Sequence, residues 1–373
     1  MVSTKLISSG KTARLSVNLG AIKANYNILR ALAGSADCVG IVKANAYGMG
    51  MDAVSKALWS QGCRTYGVAL LSEAAVLRQY LPDADIFVLN GLMKGAAGDY
   101  HHLQLRPALA SIEEVEEWSL YCRTNEVRLP AAIHVDTGIN RLGIEYEDAI
   151  TFFQNDHACE DFELCMLMSH LACADEPTHP LNQKQIEKFT ALRSCVPNVK
   201  FSLANSAGII SGPNAHFDVI RPGISLYGSN PIANSVVNLE RVMTLEASVM
   251  QIRTAAMGQS VGYRETFVCQ RPTKIAIIGL GYADGYPYSL SGTNSQTKAY
   301  VSISGHRAPI IGRVSMDMLG VDVTDLPEQM VSRAMMVEMI GENISLDGVA
   351  QASESNSYEV LARLGNRFER VYT

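Results

Sequence analysis

Residues 39–50 read VGIVKANAYGMG, and this stretch shows how the fold is built. The run Val-Gly-Ile-Val is typical of a strand that is buried on both faces, as in a parallel sheet. The strand ends on Lys43, and a tight turn with two glycines, Gly48 and Gly50, follows it. Most lysines at strand ends are solvated, because this side chain is rarely buried without a partner. The other strand ends decide whether Lys43 is an exception.

Seven more strand-like segments follow the first, and helix-like segments separate most of them. The eight segments are CVGIVKA, TYGVAL, DIFVLN, RPALAS, AAIHVD, CMLMSH, KFSLAN and FDVIRPG, with helical stretches such as LSEAAVLRQYL and LNQKQIEKFTALRSC between them. Strands that alternate with helices in this number predict a (β/α)8 TIM-like barrel. An open doubly wound sheet is the alternative, but no G-x-G-x-x-G follows the first strand.

The pattern changes near residue 238. Helices become scarce, and the segments RVMTLEASVMQIRT, TKIAIIGLGY, KAYVSISG and MLGVDVTDL read as strands separated by turns. We therefore expect an α/β barrel over residues 1–237 and an all-β domain over residues 238–373. The first ten or so residues are the part of the barrel segment that could join the β domain instead.

Composition excludes several classes of protein. The chain has 373 residues, of which 47% are hydrophobic and 18% charged, and a formal net charge of −6 argues against nucleic-acid binding. No apolar run is long enough to cross a bilayer, and the N-terminus lacks the apolar region of a secretion signal. The eight cysteines include no C-x-x-C pair and match no common zinc site. We expect a reduced, cytoplasmic protein without a metal, a membrane or a nucleic-acid partner.

Polar residues stand at the ends of several predicted barrel strands. They are Lys43, Arg141 beyond Asp136, His170, Asn205 with Ser206, and Arg221 with Gly223. Singly, each has an ordinary structural interpretation, such as a core histidine or a helix cap. In a barrel, however, the carboxyl ends of the strands meet at one mouth, which is where catalytic residues lie.

A lysine in such a mouth would be desolvated and close to other cations. Both effects lower the pKa of an amine and make it available to attack a carbonyl. The hydroxyl and backbone donors beside it suit a phosphate, and a phosphate site with a reactive lysine is what pyridoxal phosphate requires. A Schiff-base aldolase of the same barrel class is the second interpretation.

The motifs resemble those of the alanine racemases, the barrel-type pyridoxal-phosphate enzymes. VKANAYGMG resembles their cofactor-lysine motif, and others follow in the family's order, namely HVDTGINRLG, MSHLACADE, LANSAG, RPGISLYG, VGYRETF, GLGYADGYP, GRVSMDM and YEVLARLGNRFERVY. The resemblance implies a pyridoxal 5'-phosphate enzyme that interconverts L-alanine and D-alanine and supplies D-alanine for peptidoglycan.

The resemblance also implies residue roles. Lys43 would carry the cofactor and serve as one catalytic base, and Tyr263 would be the second base on the opposite face. The cofactor phosphate would be held by Tyr47, Ser206, Tyr358 and the backbone of Gly223 and Ile224. His170 and Asn205 would support the cofactor, and Arg221 would face its pyridine nitrogen. Arg141 and the backbone of Met316 would bind the substrate carboxylate, while Tyr282 would line the entrance.

Three alternatives are weighed within the resemblance. A pyridoxal-phosphate carrier protein resembles the barrel alone, so the β domain with Tyr263, Met316 and Tyr358 disfavours it. A racemase of broader range, acting for example on serine, would differ only in pocket shape. A related barrel decarboxylase is expected to carry an acid at the pyridine nitrogen, which Arg221 disfavours.

The family pattern implies a head-to-tail homodimer in which Tyr263 serves the lysine of the partner. The chain departs from that pattern at one position. Many family members have a carbamylated lysine where this chain has His134, and a histidine cannot reproduce an anion. We expect no carbamate, and a bound anion such as chloride, or another acid, to position Arg141.

Overall fold

The structure, a computed structural model, describes residues 10–155 and 157–373, which divide into two units. The barrel unit spans residues 20–240. The β unit joins residues 10–19 to residues 241–373.

The first described strand, β1 (Ala13–Val17), belongs to the β unit. It pairs antiparallel with residues 243–247 and parallel with residues 369–372. Arg14 supports the pairing by donating to Glu246, 232 residues away, at 2.7 Å. Residues 1–9, which form most of the segment that could join the β domain, lie outside the described residues.

The described residues of the barrel unit form nine parallel strands. They are β2 (Asp37–Ile41), β3 (Thr65–Val68), β4 (Asp85–Val88), β5 (Leu105–Leu109), β6 (Pro130–Asp136), β7 (Ile144–Glu145), β8 (Glu163–Met168), β9 (Lys200–Ser202) and β10 (Val219–Ile220). Eight of them pair in the order β10-β2-β3-β4-β5-β6-β8-β9, and β7 pairs beside β6. Backbone hydrogen bonds from Asp218 to Phe201 (3.0 Å) and from Arg221 to Ala204 (2.9 Å) link the two ends of this order and close the barrel.

Helices lie between the barrel strands. They are α1 (Leu19–Ala33), α2 (Lys43–Tyr47), α3 (Met51–Ser60), α4 (Leu71–Tyr80), α5 (Ala97–His102), α6 (Ile112–Thr124), α7 (Tyr146–Phe153), α8 (Pro180–Ala191) and α9 (Ser206–Ser211). Helix α1 buries Ile22, Tyr26 and Leu29 on one face. Burial of an isoleucine or leucine side chain contributes about 1.5–3 kcal/mol by removing it from water, so this apolar face stabilises the helix in the fold.

The part of the β unit that the structure describes contains the remaining strands and two helices. They are β11 (Met243–Ala255), β12 (Ser260–Val261), β13 (Phe267–Val268), β14 (Thr273–Ile278), β15 (Tyr300–Ile303), β16 (His306–Ile311), β17 (Leu319–Asp322), β18 (Met336–Ile340) and β19 (Glu369–Tyr372), with α10 (Leu346–Ala352) and α11 (Ser357–Ala362). The main sheet runs β14-β17-β16-β15-β18-β11-β1-β19, and β11 also pairs with β14, which closes a ring of six strands. Hairpin β12–β13 packs on this ring through a small core of Val261, Cys269, Ile275 and Ile311.

The predicted fold class is confirmed: a parallel eight-stranded barrel and a separate β unit, whose strands pair antiparallel except for β1 with β19. Each of the eight strand segments that the sequence predicted overlaps one barrel strand. The structure assigns β1 to the β unit although it precedes the whole barrel in the chain. Across the described residues, none of the helices combines the length and the apolar character that crossing a membrane requires.

Candidate active site

Polar side chains gather at the carboxyl ends of the barrel strands. Lys43 lies two residues beyond β2, and Asp136 is the last residue of β6. His170 follows β8, and Arg221 follows β10 directly. Because these strands are parallel neighbours in one closed barrel, the four side chains lie at the same mouth.

The turn after Lys43 is left-handed. Residues 44–47 all have φ between 52 and 54°, although none of them is glycine. A left-handed conformation costs an ordinary residue roughly 1–2 kcal/mol, so this run persists only because its surroundings impose it. Two internal backbone hydrogen bonds close the turn, from Gly48 to Ala44 and from Gly50 to Asn45, both at 2.9 Å. Strain of this kind concentrates at functional sites.

Lys43 stands in an electrostatic environment that favours its neutral form. Partial burial lowers the pKa of its amine, and the nearby cations Arg141 and Arg221 lower that pKa further. Glu73 opposes them by favouring the charged amine. The amine is therefore more nucleophilic at neutral pH than that of an exposed lysine.

Arg141 is positioned through Asp136. The carboxylate of Asp136 accepts hydrogen bonds from the backbone of Gly138 (2.6 Å), Ile139 (2.9 Å) and Arg141 (3.1 Å). Gly143 approaches the backbone of Asp136 so closely that an added Cβ would lie 2.7 Å from its nitrogen. This compact loop fixes the backbone of Arg141, whose positive charge lowers the pKa of Lys43.

His134 is buried beside these cations, with 7% of its surface exposed. Burial, Arg221 and Arg141 lower its pKa to about 4, so the ring is neutral at physiological pH. Neither ring nitrogen has a hydrogen-bond partner among the described residues. A neutral imidazole carries one N–H, and leaving it unpaired in a buried site costs free energy.

His170 contacts Asn205. The amide nitrogen of Asn205 lies 3.4 Å from Nε2 of His170, and its oxygen caps α9 by accepting from Gly208 at 2.9 Å. Burial and the cations Arg221 and Arg141 lower the pKa of His170 well below its usual range, so Nε2 can accept from the amide. Buried Gln185 supports the same strand end by donating to the His170 carbonyl at 2.8 Å.

The Arg221 guanidinium is buried and faces backbone carbonyls. Nη1 donates to the carbonyl of Ser202 at 2.7 Å, and Nη2 donates to the carbonyl of Ser169 at 2.5 Å. Burial lowers its pKa to about 10, which still leaves the group charged at neutral pH. These bonds tie strands β8, β9 and β10 together.

A cup of backbone donors surrounds the Ser206 hydroxyl. The backbone N–H groups of Gly223 (2.8 Å) and Ser225 (3.3 Å) both donate to Ser206 Oγ. Tyr47 closes the cup, since an added Cβ on Gly223 would lie 2.5 Å from the Tyr47 hydroxyl. The Tyr47 ring stacks on Tyr227 at 4.7 Å. Ile224 begins the short 3-10 turn that follows Gly223. Convergent N–H groups and hydroxyls are the kind of donors that anion sites in proteins use, so this cup is a candidate anion site.

The other predicted site residues belong to the β unit. Tyr263 opens a short turn directly beyond hairpin strand β12 and is 67% exposed. Tyr282 lies on the 3-10 turn Tyr282–Asp284, and its ring contacts Tyr288 edge to face at 6.1 Å. Met316 and Tyr358 are also largely exposed, Tyr358 in the first turn of α11. The structure thus divides the predicted site residues between the two units.

Family models cover both units. One described as "Alanine racemase, N-terminal domain" matches residues 17–231, and one described as "Alanine racemase, C-terminal domain" matches residues 242–372. The chain belongs to the alanine racemase family. It is 41% identical over 360 residues to the alanine racemase of Methylobacterium sp. (strain 4-46), covering 96% of this chain and 97% of that protein.

A solved structure shows the same fold. The alanine racemase of Bartonella henselae, crystallised with covalently bound pyridoxal phosphate, superimposes with a TM-score of 0.92 at 37% identity. The match covers 97% of this chain and 99% of the Bartonella chain. Both units of the chain therefore have the architecture of an alanine racemase.

Two supporting residues escaped the sequence analysis, Gln185 and Glu73, and a third, Asp136, was noted there only as the strand end before Arg141. The carboxylate of Glu73 accepts from Ala44, next to Lys43, at 2.6 Å. A glutamate in the first turn of a helix that follows a strand is a recognisable capping signal, but the residue it bonds across the mouth is not readable from sequence. The described residues contain no cluster of His, Cys, Asp and Glu side chains that could hold a metal ion.

Proposed function

We propose that this protein is a pyridoxal-phosphate-dependent alanine racemase in which Lys43 and Tyr263 move the α-proton on opposite faces of the substrate. The observation that carries the proposal is the position of the Lys43 amine, which is partly desolvated beside Arg141 and Arg221 at the mouth of an alanine racemase barrel.

The barrel residues fit the cofactor. Pyridoxal phosphate needs an amine for its aldehyde, donors for its phosphate and a partner for its ring nitrogen. Lys43 has the lowered pKa that an amine nucleophile requires. Ser206, Tyr47 and the backbone N–H of Gly223 meet in the cup described above. The backbone of Ile224 and the hydroxyl of Tyr358 would add further donors for the phosphate. When bound, the cofactor supplies the electron sink for the charge left by removal of the α-proton.

Racemisation requires proton transfer on two faces. One base removes the α-proton, and an acid on the other face returns a proton, so two groups on opposite sides are sufficient. Lys43 would act from the barrel mouth and Tyr263 from the β unit. The Tyr263 side chain is exposed, so its hydroxyl is accessible for this role.

Arg221 supports racemisation over decarboxylation. A charged guanidinium at the pyridine nitrogen disfavours protonation there, because protonation would set two cations side by side. The cofactor ring would then be a weaker electron sink, so the charge left by proton removal would be short-lived. Competing reactions such as decarboxylation would have less time to occur. The buried hydrogen bonds of Arg221 to the Ser202 and Ser169 carbonyls hold its charge in place.

Arg141 and the backbone of Met316 would bind the substrate carboxylate, and Tyr282 would line the entrance. In the β unit, the Met316 carbonyl accepts from Ala283 at 3.0 Å, which orients this segment. Arg141 is a suitable partner because a guanidinium can bind a carboxylate through two parallel hydrogen bonds.

The proposal includes a homodimer with shared sites. The β unit exposes the side chains of Tyr263, Tyr282, Met316 and Tyr358, the four residues of this unit to which the family pattern gives a role in the site. In a two-fold dimer, this surface on each subunit would cover the barrel mouth of its partner. The product D-alanine would supply peptidoglycan in the cytoplasm, so deletion of the gene should make growth depend on added D-alanine.

The activity is tested directly with the purified protein and pyridoxal phosphate. L-alanine should become a mixture of both enantiomers on chiral chromatography, and Lys43→Ala should not do so. The same assay over other amino acids tests substrate range. Release of carbon dioxide would identify a decarboxylase, and equal turnover of several amino acids would identify a broad-range racemase.

Gly281→Ala should damage the substrate site. An added Cβ at Gly281 would collide with the backbone carbonyls of Ser315 and Met316, so that segment must move. We expect the KM for alanine to rise and the free energy of unfolding to fall by about 1–3 kcal/mol. Gly365→Ala is the matched control, because its Cβ would lie 3.7 Å from the nearest atom. An unchanged KM in Gly281→Ala would contradict the role given to Met316.

An anion should substitute for the missing carbamate near Arg141. His134 is neutral and has no hydrogen-bond partner among the described residues, and none of the ion pairs formed by those residues includes Arg141. An anion such as chloride could accept from the His134 N–H and from Arg141 together. Replacing chloride with gluconate in the buffer should raise the KM for alanine, and added chloride should restore it.

Two results would contradict this prediction. A carbamylated side chain near Arg141, found by mass spectrometry of the intact protein, would refute the absence of a carbamate. Activity that is insensitive to every anion tested would refute the bound anion.

A further inference from the structure

We infer that Glu73 is a positioning residue that holds the left-handed turn after Lys43 and thereby sets where the lysine amine meets the cofactor. This inference rests on the proposed function. Glu73 lies on α4, which follows the neighbouring barrel strand β3, and so it acts on Lys43 from a different element.

The geometry places one carboxylate between two loops. Oε1 of Glu73 accepts from the backbone N–H of Ala44 at 2.6 Å, and Oε2 accepts from Ala69 (2.8 Å) and Leu70 (3.2 Å). Ala69 directly follows β3, and Ala44 directly follows Lys43. The side chain therefore ties the residue after the lysine to the end of the next strand.

The turn needs such an external partner. The first N–H groups of any helical turn lack acceptors within the turn, and the N–H of Ala44 is one of them. Ala44 also has a φ of 52°, a left-handed conformation that is unfavourable for an alanine. A charge-assisted hydrogen bond from an anionic acceptor is stronger than one from a neutral group and offsets part of that strain.

Glu73 also carries charge next to the amine. The charged groups that act on the Lys43 amine are Arg141 after β6, Arg221 after β10 and Glu73 on α4. The two arginines lower the pKa of Lys43, and Glu73 alone raises it. Removing the Glu73 charge should therefore shift the pKa of Lys43 to lower pH.

The chain contains a matched control. Glu114 occupies the corresponding place on α6, where Oε2 accepts from Ala110 (2.9 Å) after β5 and from Leu92 (3.0 Å) after β4. Like Glu73, it accepts hydrogen bonds from two loops, but it is not among the groups that shift the pKa of Lys43. The structural effect of losing a carboxylate that bridges two loops should therefore appear in both Glu114→Gln and Glu73→Gln. An effect on Lys43 should appear only in Glu73→Gln.

Two measurements test the inference. In the first, the full chain freed of cofactor takes up pyridoxal phosphate over a range of pH, followed by visible absorbance. Uptake needs the neutral amine, so Glu73→Gln should move the pH of half-maximal uptake rate downward and reduce the plateau rate by roughly tenfold or more. In the second, kcat of the holoenzyme is measured against pH for each alanine enantiomer. In Glu73→Gln, the acid limb of this profile should move to lower pH only for the enantiomer whose proton Lys43 accepts.

Glu73→Asp separates charge from reach. This substitution keeps the carboxylate on a shorter side chain. The pH of half-maximal cofactor uptake should therefore stay near that of the wild type, while the plateau rate of uptake falls. If Glu73→Gln does not fold by circular dichroism, Glu73→Asp alone carries the test, and a wild-type plateau rate in that variant would overturn the inference.

The possible failures are distinguishable. A wild-type chain that racemises alanine, with Glu73→Gln matching Glu114→Gln in both pH profiles, would overturn the inference and leave the function intact. A wild-type chain that neither takes up the cofactor nor racemises alanine would overturn the proposed function itself.

Discussion

Mixing two inactive variants, Lys43→Ala and Tyr263→Ala, is expected to restore roughly a quarter of wild-type racemase activity. Each variant alone lacks one of the two bases in every site. In a mixed dimer with shared sites, one site takes Lys43 from one chain and Tyr263 from its partner, while the other site has lost both. Random mixing makes about half of the dimers mixed, and each has one good site of two.

The control uses the double variant Lys43→Ala/Tyr263→Ala in place of Lys43→Ala. Mixed with Tyr263→Ala, it offers no intact tyrosine to any site and should restore nothing. Distinct affinity tags on the two chains show that mixed dimers are present. No recovery of activity in a preparation proven to contain mixed dimers would reject the shared site.

The barrel was predictable because its strands have a strong local signal. Each buried parallel strand is a short apolar run bounded by a turn, and all eight such runs overlap barrel strands. The membership of β1 was not readable in this way. Its alternating pattern indicates a strand, but its partners lie more than 200 residues away, as the Arg14–Glu246 bond shows.

The candidate site shows the same division between local and long-range information. The polar strand ends Lys43, His170 and Arg221 are visible in sequence because each follows a recognisable strand. The left-handed turn after Lys43 is not, since alanine and tyrosine disfavour that conformation and a contact from Glu73 imposes it. The unpartnered nitrogens of His134 likewise depend on packing that only the three-dimensional structure reveals.

Tyr263→Phe is expected to lower racemisation in both directions by about 10²–10⁴-fold, the usual contribution of a positioned acid or base. The substitution removes only the hydroxyl from a side chain that is 67% exposed, so folding should be unaffected. Each direction of racemisation uses both groups, one to remove and one to return the proton. Loss of either group therefore slows both directions together.

The two-base assignment also predicts an asymmetry that a simple loss of activity would not show. Lys43 remains in Tyr263→Phe and can still exchange the α-proton of the one enantiomer whose proton faces it. The other enantiomer presents its α-proton to the missing base. Lys43→Ala, which also lacks the cofactor attachment, should exchange neither.

Exchange of the α-proton with solvent deuterium, followed by NMR for each alanine enantiomer separately, is the most direct test of two bases on opposite faces. The wild type should exchange both enantiomers with racemisation, and Tyr263→Phe should exchange only one, with retention of configuration. Exchange of both enantiomers at similar rates by Tyr263→Phe would contradict the account, because a single base would then serve both faces.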